Sequence, residues 1–187
     1  MSEDPLICFC APVLAGIKTA SLFSWPYQNK LELENDLQHF NAVFQSKGLS
    51  LCCLGKAKNR QLLYVYRSSL LAQDLADSLA QQLLKQLDYP LGDVLACLNF
   101  LTQRLRKVHD FPHEIGLFLG YPAEDVRCFM ENKSGKACHP CCYTGMWQAF
   151  HNPVQAQQLN LAYKHCIQAY IHAYHCGYTL EALSIAL

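Results

Sequence analysis

The chain has 187 residues, 51% of them apolar, and its 15 Lys and Arg balance its 15 Asp and Glu. A length of this order suits a single domain over 1–187, and an apolar half is enough for a substantial core. Charge balance gives no net field for nucleic acid or an anionic membrane, and no apolar run approaches the ~20 residues of a spanning helix. Ile7 to Ile17 is apolar, but Glu3 and Asp4 precede it where a signal peptide carries Lys or Arg. The expectation is a cytoplasmic protein whose eleven cysteines, a high and odd number, are mostly free thiols in a reducing compartment.

Residues 8–25 read as loop and short-helix material around Pro12, Gly16 and Pro26, with Lys18 set among apolar neighbours. A helix follows over about 30–46, with Leu33, Leu37, Phe40 and Phe44 at helical spacing and Gly48 closing it. Leu49–Leu54 and Gln61–Tyr66 are two β-prone runs around a basic turn, which predicts a hairpin. Ser68 or Ser69 caps a long helix through about Leu87, along which Leu71, Leu75, Leu79 and Leu83 recur. Another helix spans about 92–107, with Arg104, Arg106 and Lys107 at its C-terminal end, where the helix dipole favours cations. Past a polar, Cys-rich excursion, 145–150 reads as a third strand joining the hairpin. A long helix runs from Pro153 to about Cys176, and a short last helix follows Thr179. The sum is an α+β fold, mainly helical, with a small antiparallel sheet.

Between these elements lies Phe111-Pro112-His113-Glu114-Ile115-Gly116-Leu117-Phe118-Leu119-Gly120-Tyr121-Pro122-Ala123-Glu124-Asp125-Val126. Its prolines and glycines predict a short helix over about 112–119, a Gly-Tyr-Pro turn and a second helix over about 122–132. Two helices across a short turn suggest a DNA-binding helix-turn-helix. The second helix, however, sets Glu124, Asp125 and Glu131 against Arg127 alone, the wrong sign for phosphates. The same stretch closely resembles the signature of a bacterial family catalogued as domain of unknown function 3793. The likeness extends to Cys10–Lys18, to Val65-Tyr66-Arg67, and to a degraded Gly145-Met146-Trp147-Gln148-Ala149-Phe150. The resemblance implies a cytoplasmic protein of clostridia-like anaerobes with unassigned biochemistry, associated with flavodoxin or iron-handling genes.

Candidate chemistry is local. Cys138-His139-Pro140-Cys141-Cys142 holds a C-x-x-C pair able to fill two corners of a zinc site, so Cys138, Cys141 and Cys142 are the candidate metal ligands. A thiol redox pair and a plain Cys-rich loop remain as alternatives. Haem attachment would need His directly after Cys141, where Cys142 stands. The last long helix carries Tyr163, Tyr170 and Tyr174 with His165, His172 and His175, which reads as a core face with solvated histidines, or else as a surface for iron or haem. His113-Glu114 lacks the second His of a zinc protease, and no phosphate loop, nucleophile elbow or dinucleotide fingerprint occurs. Lys18, Arg67 and Glu114 each interrupt an apolar segment. They are expected to meet beside His113, with Lys18, Arg67 and His113 within ~10 Å of one another around a small anionic ligand. Three functions follow as expectations. The first is a binding or accessory protein linked to iron, haem or a flavodoxin-type redox partner protein. The others are a small enzyme acting on an anionic substrate, and a zinc- or thiol-dependent redox protein.

Overall fold

The computed structural model describes residues 3–27, 29–57, 60–107, 111–136 and 139–187. In chain order the elements are α1 (Glu3–Leu14), β1 (Ala20–Pro26), α2 (Lys30–Phe44), β2 (Leu49–Ala57), β3 (Arg60–Arg67), α3 (Ser68–Ala76), α4 (Ser78–Gln86), α5 (Val94–Lys107), α6 (Ile115–Phe118), α7 (Ala123–Lys133), β4 (Tyr143–Thr144), β5 (Gln148–Ala149), α8 (Pro153–His175) and α9 (Leu180–Leu183). The fold is α+β, with a three-stranded antiparallel sheet in the order β1-β3-β2 and a separate two-stranded β4–β5 hairpin.

Strand β3 sits at the centre of the sheet and is buried on both faces, because successive side chains point opposite ways. Leu63 and Val65 join a core with Leu6, Ile7 and Val13 of α1, Phe40 and Phe44 of α2, and Leu180 of α9. Tyr64 and Tyr66 join the opposite core with Leu71 of α3, Leu84 of α4, Leu101 of α5, Phe118 of α6 and Val126 of α7. A third, smaller cluster of Trp147, Ala149, Ala156 and Tyr163 joins the second core through Tyr121, which packs on both. On α8, Tyr163 is buried and Tyr170 and Tyr174 pack on the α1 core, whereas His165, His172 and His175 are exposed.

Four readings of the sequence need correction. Residues 8–25 are not irregular: α1 extends through Leu14 with Pro12 in its last turn, and β1 supplies the third strand of the sheet. The 145–150 segment does not join the main hairpin but pairs only with Tyr143-Thr144. The long helix over 68–87 is two helices, broken where Asp77 leaves helical geometry and its carboxylate caps α4 through the amides of Leu79 and Ala80, each at 2.9 Å. The 112–119 helix shrinks to the four residues of α6. Lys58-Asn59 in the basic turn, and Cys138, lie outside the described residues.

One side chain ties these parts together. Arg67 has no solvent exposure, and its guanidinium donates to the carbonyls of Val13 (2.6 Å), Leu14 (2.7 Å), Lys47 (3.0 Å) and Ile185 (2.7 Å). Val13 and Leu14 end α1, so a fixed cation sits at the negative end of the helix dipole and adds a donor to two carbonyls that also accept the Gly16 and Ile185 amides. Arg67→Met would remove the guanidinium donor from all four carbonyls, of which those of Val13 and Leu14 keep the Gly16 and Ile185 amides, at a cost of about 3 kcal/mol. The urea midpoint should fall accordingly, and Arg67→Lys should recover less than half of the loss, because an ammonium cannot span four carbonyls. A loss under ~1 kcal/mol for Arg67→Met would show that the carbonyls find water instead.

Candidate functional site

The motif residues converge around a cavity of about 350 Å³ lined by aromatic and apolar side chains, chiefly Phe111, Tyr121, Phe129, Met146 and Trp147, with His113 and Asp125 among its polar groups. It lies between α6, α7 and the β4–β5 hairpin. Gly120 makes the turn: its φ of 73° is left-handed, and an added Cβ would stand 2.7 Å from the Thr19 Cβ, so the turn packs directly on the loop before β1. Tyr121 then stacks on Trp147 with ring centroids 5.2 Å apart and donates its hydroxyl to the Met146 carbonyl at 3.2 Å.

Asp125 holds the same Trp147 ring through its indole N–H. It is buried, and its carboxylate accepts from the Trp147 indole N–H (2.8 Å), the Phe150 amide (2.8 Å) and the His151 amide (3.3 Å), with His151 Nδ1 at 3.4 Å. Asn160 of α8 fixes the hairpin from below by accepting the Met146 amide at 2.7 Å. Gly145 is needed there, since a Cβ would run into the Asn160 amide. In the sequence Asp125 figures among the acids of the second motif helix that oppose phosphate binding. The sequence signal that could have shown its role is an acid followed by Val126 inside an apolar face.

The structure separates the predicted site residues. His113 lines the cavity, half-buried and edge-on to Phe129 at 5.1 Å. Lys18 is buried, donates to the Ala20 carbonyl, and stands 5.5 Å from the Tyr121 ring centroid. It borders an adjoining cavity of about 160 Å³ that shares Tyr121 and Met146 with the first. Arg67 is enclosed by its four carbonyls, and Glu114 is buried against Arg104 (2.5 Å) and the Tyr89 hydroxyl (3.0 Å), so neither lines the cavity. Burial, then the Glu114 charge, pushes the Tyr89 hydroxyl well above its ordinary pKa. Arg104, which the sequence offered only as a helix-end cation, is the true partner of Glu114. Cys141 Sγ turns to the Tyr143 carbonyl at 3.3 Å and Cys142 Sγ to that of Ala149 at 3.1 Å, both within the hairpin. Nine described cysteines are free, as expected of most of them, and Cys128 is in a disulfide.

Two measurements test this geometry. Asp125→Ala would orphan the indole and Phe150 donors, costing about 1–3 kcal/mol for each. In a Trp25→Phe background, Trp147 emission should then shift to the red; an unshifted spectrum would mean that Asp125 does not hold the ring. Lys18 gives a pH signature. Burial lowers its pKa from 10.5 to about 8, so between those values the unfolded chain carries a proton that the folded one lacks, and stability rises with pH. Cys10, pushed up by burial from 9.0, opposes this at higher pH. From pH 8 to 9 the wild type should gain ~1 kcal/mol relative to Lys18→Met in urea titrations, and parallel curves would place the ammonium in solvent.

No curated protein and no solved structure matches the chain. Among the described residues no helix is long and apolar enough to cross a membrane. A family model described as "Protein of unknown function (DUF3793)" matches residues 6–184, which include all the segments that build this cavity, and the chain belongs to that family.

Proposed function

We propose that the chain is a cytosolic, non-enzymatic binding protein of an anaerobic bacterium, and that its cavity takes a small, flat, uncharged heteroaromatic molecule. The cavity itself carries this reading. Its volume of about 350 Å³ stands near the low end of the ~300–1,000 Å³ common for ligand sites, which suits two or three fused rings better than a tetrapyrrole. Its walls are Tyr121, Phe129 and Trp147, and Phe111 and Met146 expose large apolar side chains that a bound ring would cover. His113, Thr144 and Gln148 offer hydrogen bonds to ring heteroatoms. No Lys or Arg is among the described lining residues, and the Lys18 and Lys133 ammoniums stand 5.5 Å from the Tyr121 and Phe129 ring centroids without lining the cavity. Asp125 adds a carboxylate, and together these favour an uncharged ring over an anion such as a haem propionate. A flavin-type ring fits both the walls and the redox context that the family resemblance implies.

Riboflavin, which is uncharged, is the probe. Its emission should be quenched saturably as it stacks on the aromatic wall, while haemin should show no stoichiometric binding. Phe129→Ala should weaken riboflavin binding about tenfold, or ~1.4 kcal/mol. Unsaturable quenching, or an affinity indifferent to Phe129→Ala, would overturn the proposal.

A further inference from the structure

We propose a second, separate site: when the disulfide at Cys128 is reduced, Cys128, His139 and His151 bind a zinc ion at the C-terminal half of α7. In the oxidised protein, no group of three His, Cys, Asp or Glu among the described residues is placed to hold a metal, and the Cys128 sulfur is committed to its disulfide. His151 nevertheless stands beside that sulfur, and His139 beside His151. His151 Nε2 stands 4.0 Å from Cys128 Sγ. Sulfur and nitrogen ligands of a tetrahedral zinc, with bonds of about 2.3 and 2.0 Å, are themselves about 3.6 Å apart. The His139 and His151 ring centroids are 5.2 Å apart with the rings nearly perpendicular. Two imidazoles on one tetrahedral zinc place their centroids about 5 Å apart.

The outer partners also fit. Asp125 Oδ1 lies 3.4 Å from His151 Nδ1, so with the proton on Nδ1 the Nε2 lone pair is presented towards Cys128. This is the carboxylate–histidine–metal order in which a second partner fixes the tautomer and raises ligand basicity. The His139 carbonyl accepts from Asn132 Nδ2 at 3.1 Å, which holds the loop against the end of α7. Cys128 is fully buried, whereas both histidines are exposed, so a metal would enter from the histidine side.

The chemistry balances with a dithiol as reductant. Two electrons pass from it, its own S–S bond forms, and the protein disulfide opens to two thiols. Zinc then displaces the Cys128 thiol proton to solvent and bonds the thiolate together with the two imidazoles, and a water completes four ligands. Thiolate with imidazole is a donor set that selects zinc over magnesium or calcium.

Cobalt(II) is the probe for the intact chain, because thiolate ligation gives a sulfur-to-cobalt charge-transfer band and tetrahedral geometry gives intense d–d bands. Dithiol-reduced, anaerobic protein should bind one Co2+ per chain with both signatures, and Zn2+ should displace it. Oxidised protein should bind none. His139→Ala and His151→Gln, at exposed positions, should each weaken Co2+ at least tenfold while leaving the circular dichroism spectrum unchanged, and Cys141→Ser with Cys142→Ser should leave affinity intact. The proposal is overturned if reduced protein binds no stoichiometric Co2+, if the charge-transfer band survives the paired histidine substitutions, or if the Cys141 and Cys142 substitutions abolish binding.

Discussion

A cation placed where solvent cannot reach it sets the geometry of this fold. Arg67 ends the central strand, and its guanidinium has no carboxylate partner among its described contacts, only carbonyls from α1, the turn at Lys47 and the segment after α9. Burial lowers its pKa, but a guanidinium stays charged, so the charge has to be solvated by the protein itself. The arrangement does so with backbone that needs donors anyway. The last carbonyls of α1 lie outside the helical ladder, and the Arg67 donors join the Gly16 and Ile185 amides on them while fixing α1 over the sheet. That in turn places the loop after α1, with Lys18 and Thr19, against the Gly120 turn. The Thr19 hydroxyl donates to Asp74 of α3 at 2.5 Å there, joining the two cores across the sheet edge.

Asp125 plays the matching part in the candidate site with the opposite charge. A buried carboxylate is tolerable when N–H donors surround it, and Asp125 collects them from an indole and two consecutive amides. The consequence is that three things move together: the start of α7, the Trp147 wall of the cavity, and His151. The ring-binding wall and the proposed metal ligand therefore share one carboxylate. Any event that reorients the His151 ring acts on the acceptor that holds the Trp147 ring.

How much of this was legible depends on whether a residue's role is local. The helices over 30–44, 94–107, 123–133 and 153–175 and the β2–β3 hairpin showed because apolar spacing and caps are local signals. Helix α1 was hidden by Pro12, which sits in its last turn, and by an apolar surface with no polar stripe to mark its period, since α8 and the sheet cover it. Strand β1 was hidden by Ser21, Ser24 and a terminal Pro26, which are acceptable at a sheet edge. The break at Asp77 was masked because leucines keep their spacing on both sides of it. For the site, a charge inside an apolar run marked out Lys18, Arg67 and Glu114, and all three prove buried. It could not identify their partners, since a carbonyl acceptor leaves no mark in sequence and Arg104 looked like an ordinary helix-end cation. The two family-like stretches, Phe111–Val126 and Gly145–Phe150, were visible as unusual text. Their meeting through Asp125 and Trp147 is a tertiary fact.

The roof of the cavity is its least self-sufficient part. Two-residue strands cannot hold a hairpin in water by their own ladder. Outside that ladder, β4–β5 is kept in place by side chains from elsewhere: Asp125 from α7, Asn160 from α8 and Tyr121 from the turn. Its cluster of Trp147, Ala149, Ala156 and Tyr163 is small and meets the α3–α7 core through Tyr121. An element anchored this way belongs to the low-stability end of a structure, where opening involves few apolar contacts and leaves the main cores intact. That is where a binding site can exchange its ligand without disturbing the sheet. A ring seated between Phe129 and Trp147 would supply the apolar contact that the roof lacks, so occupancy and order of the hairpin would rise together.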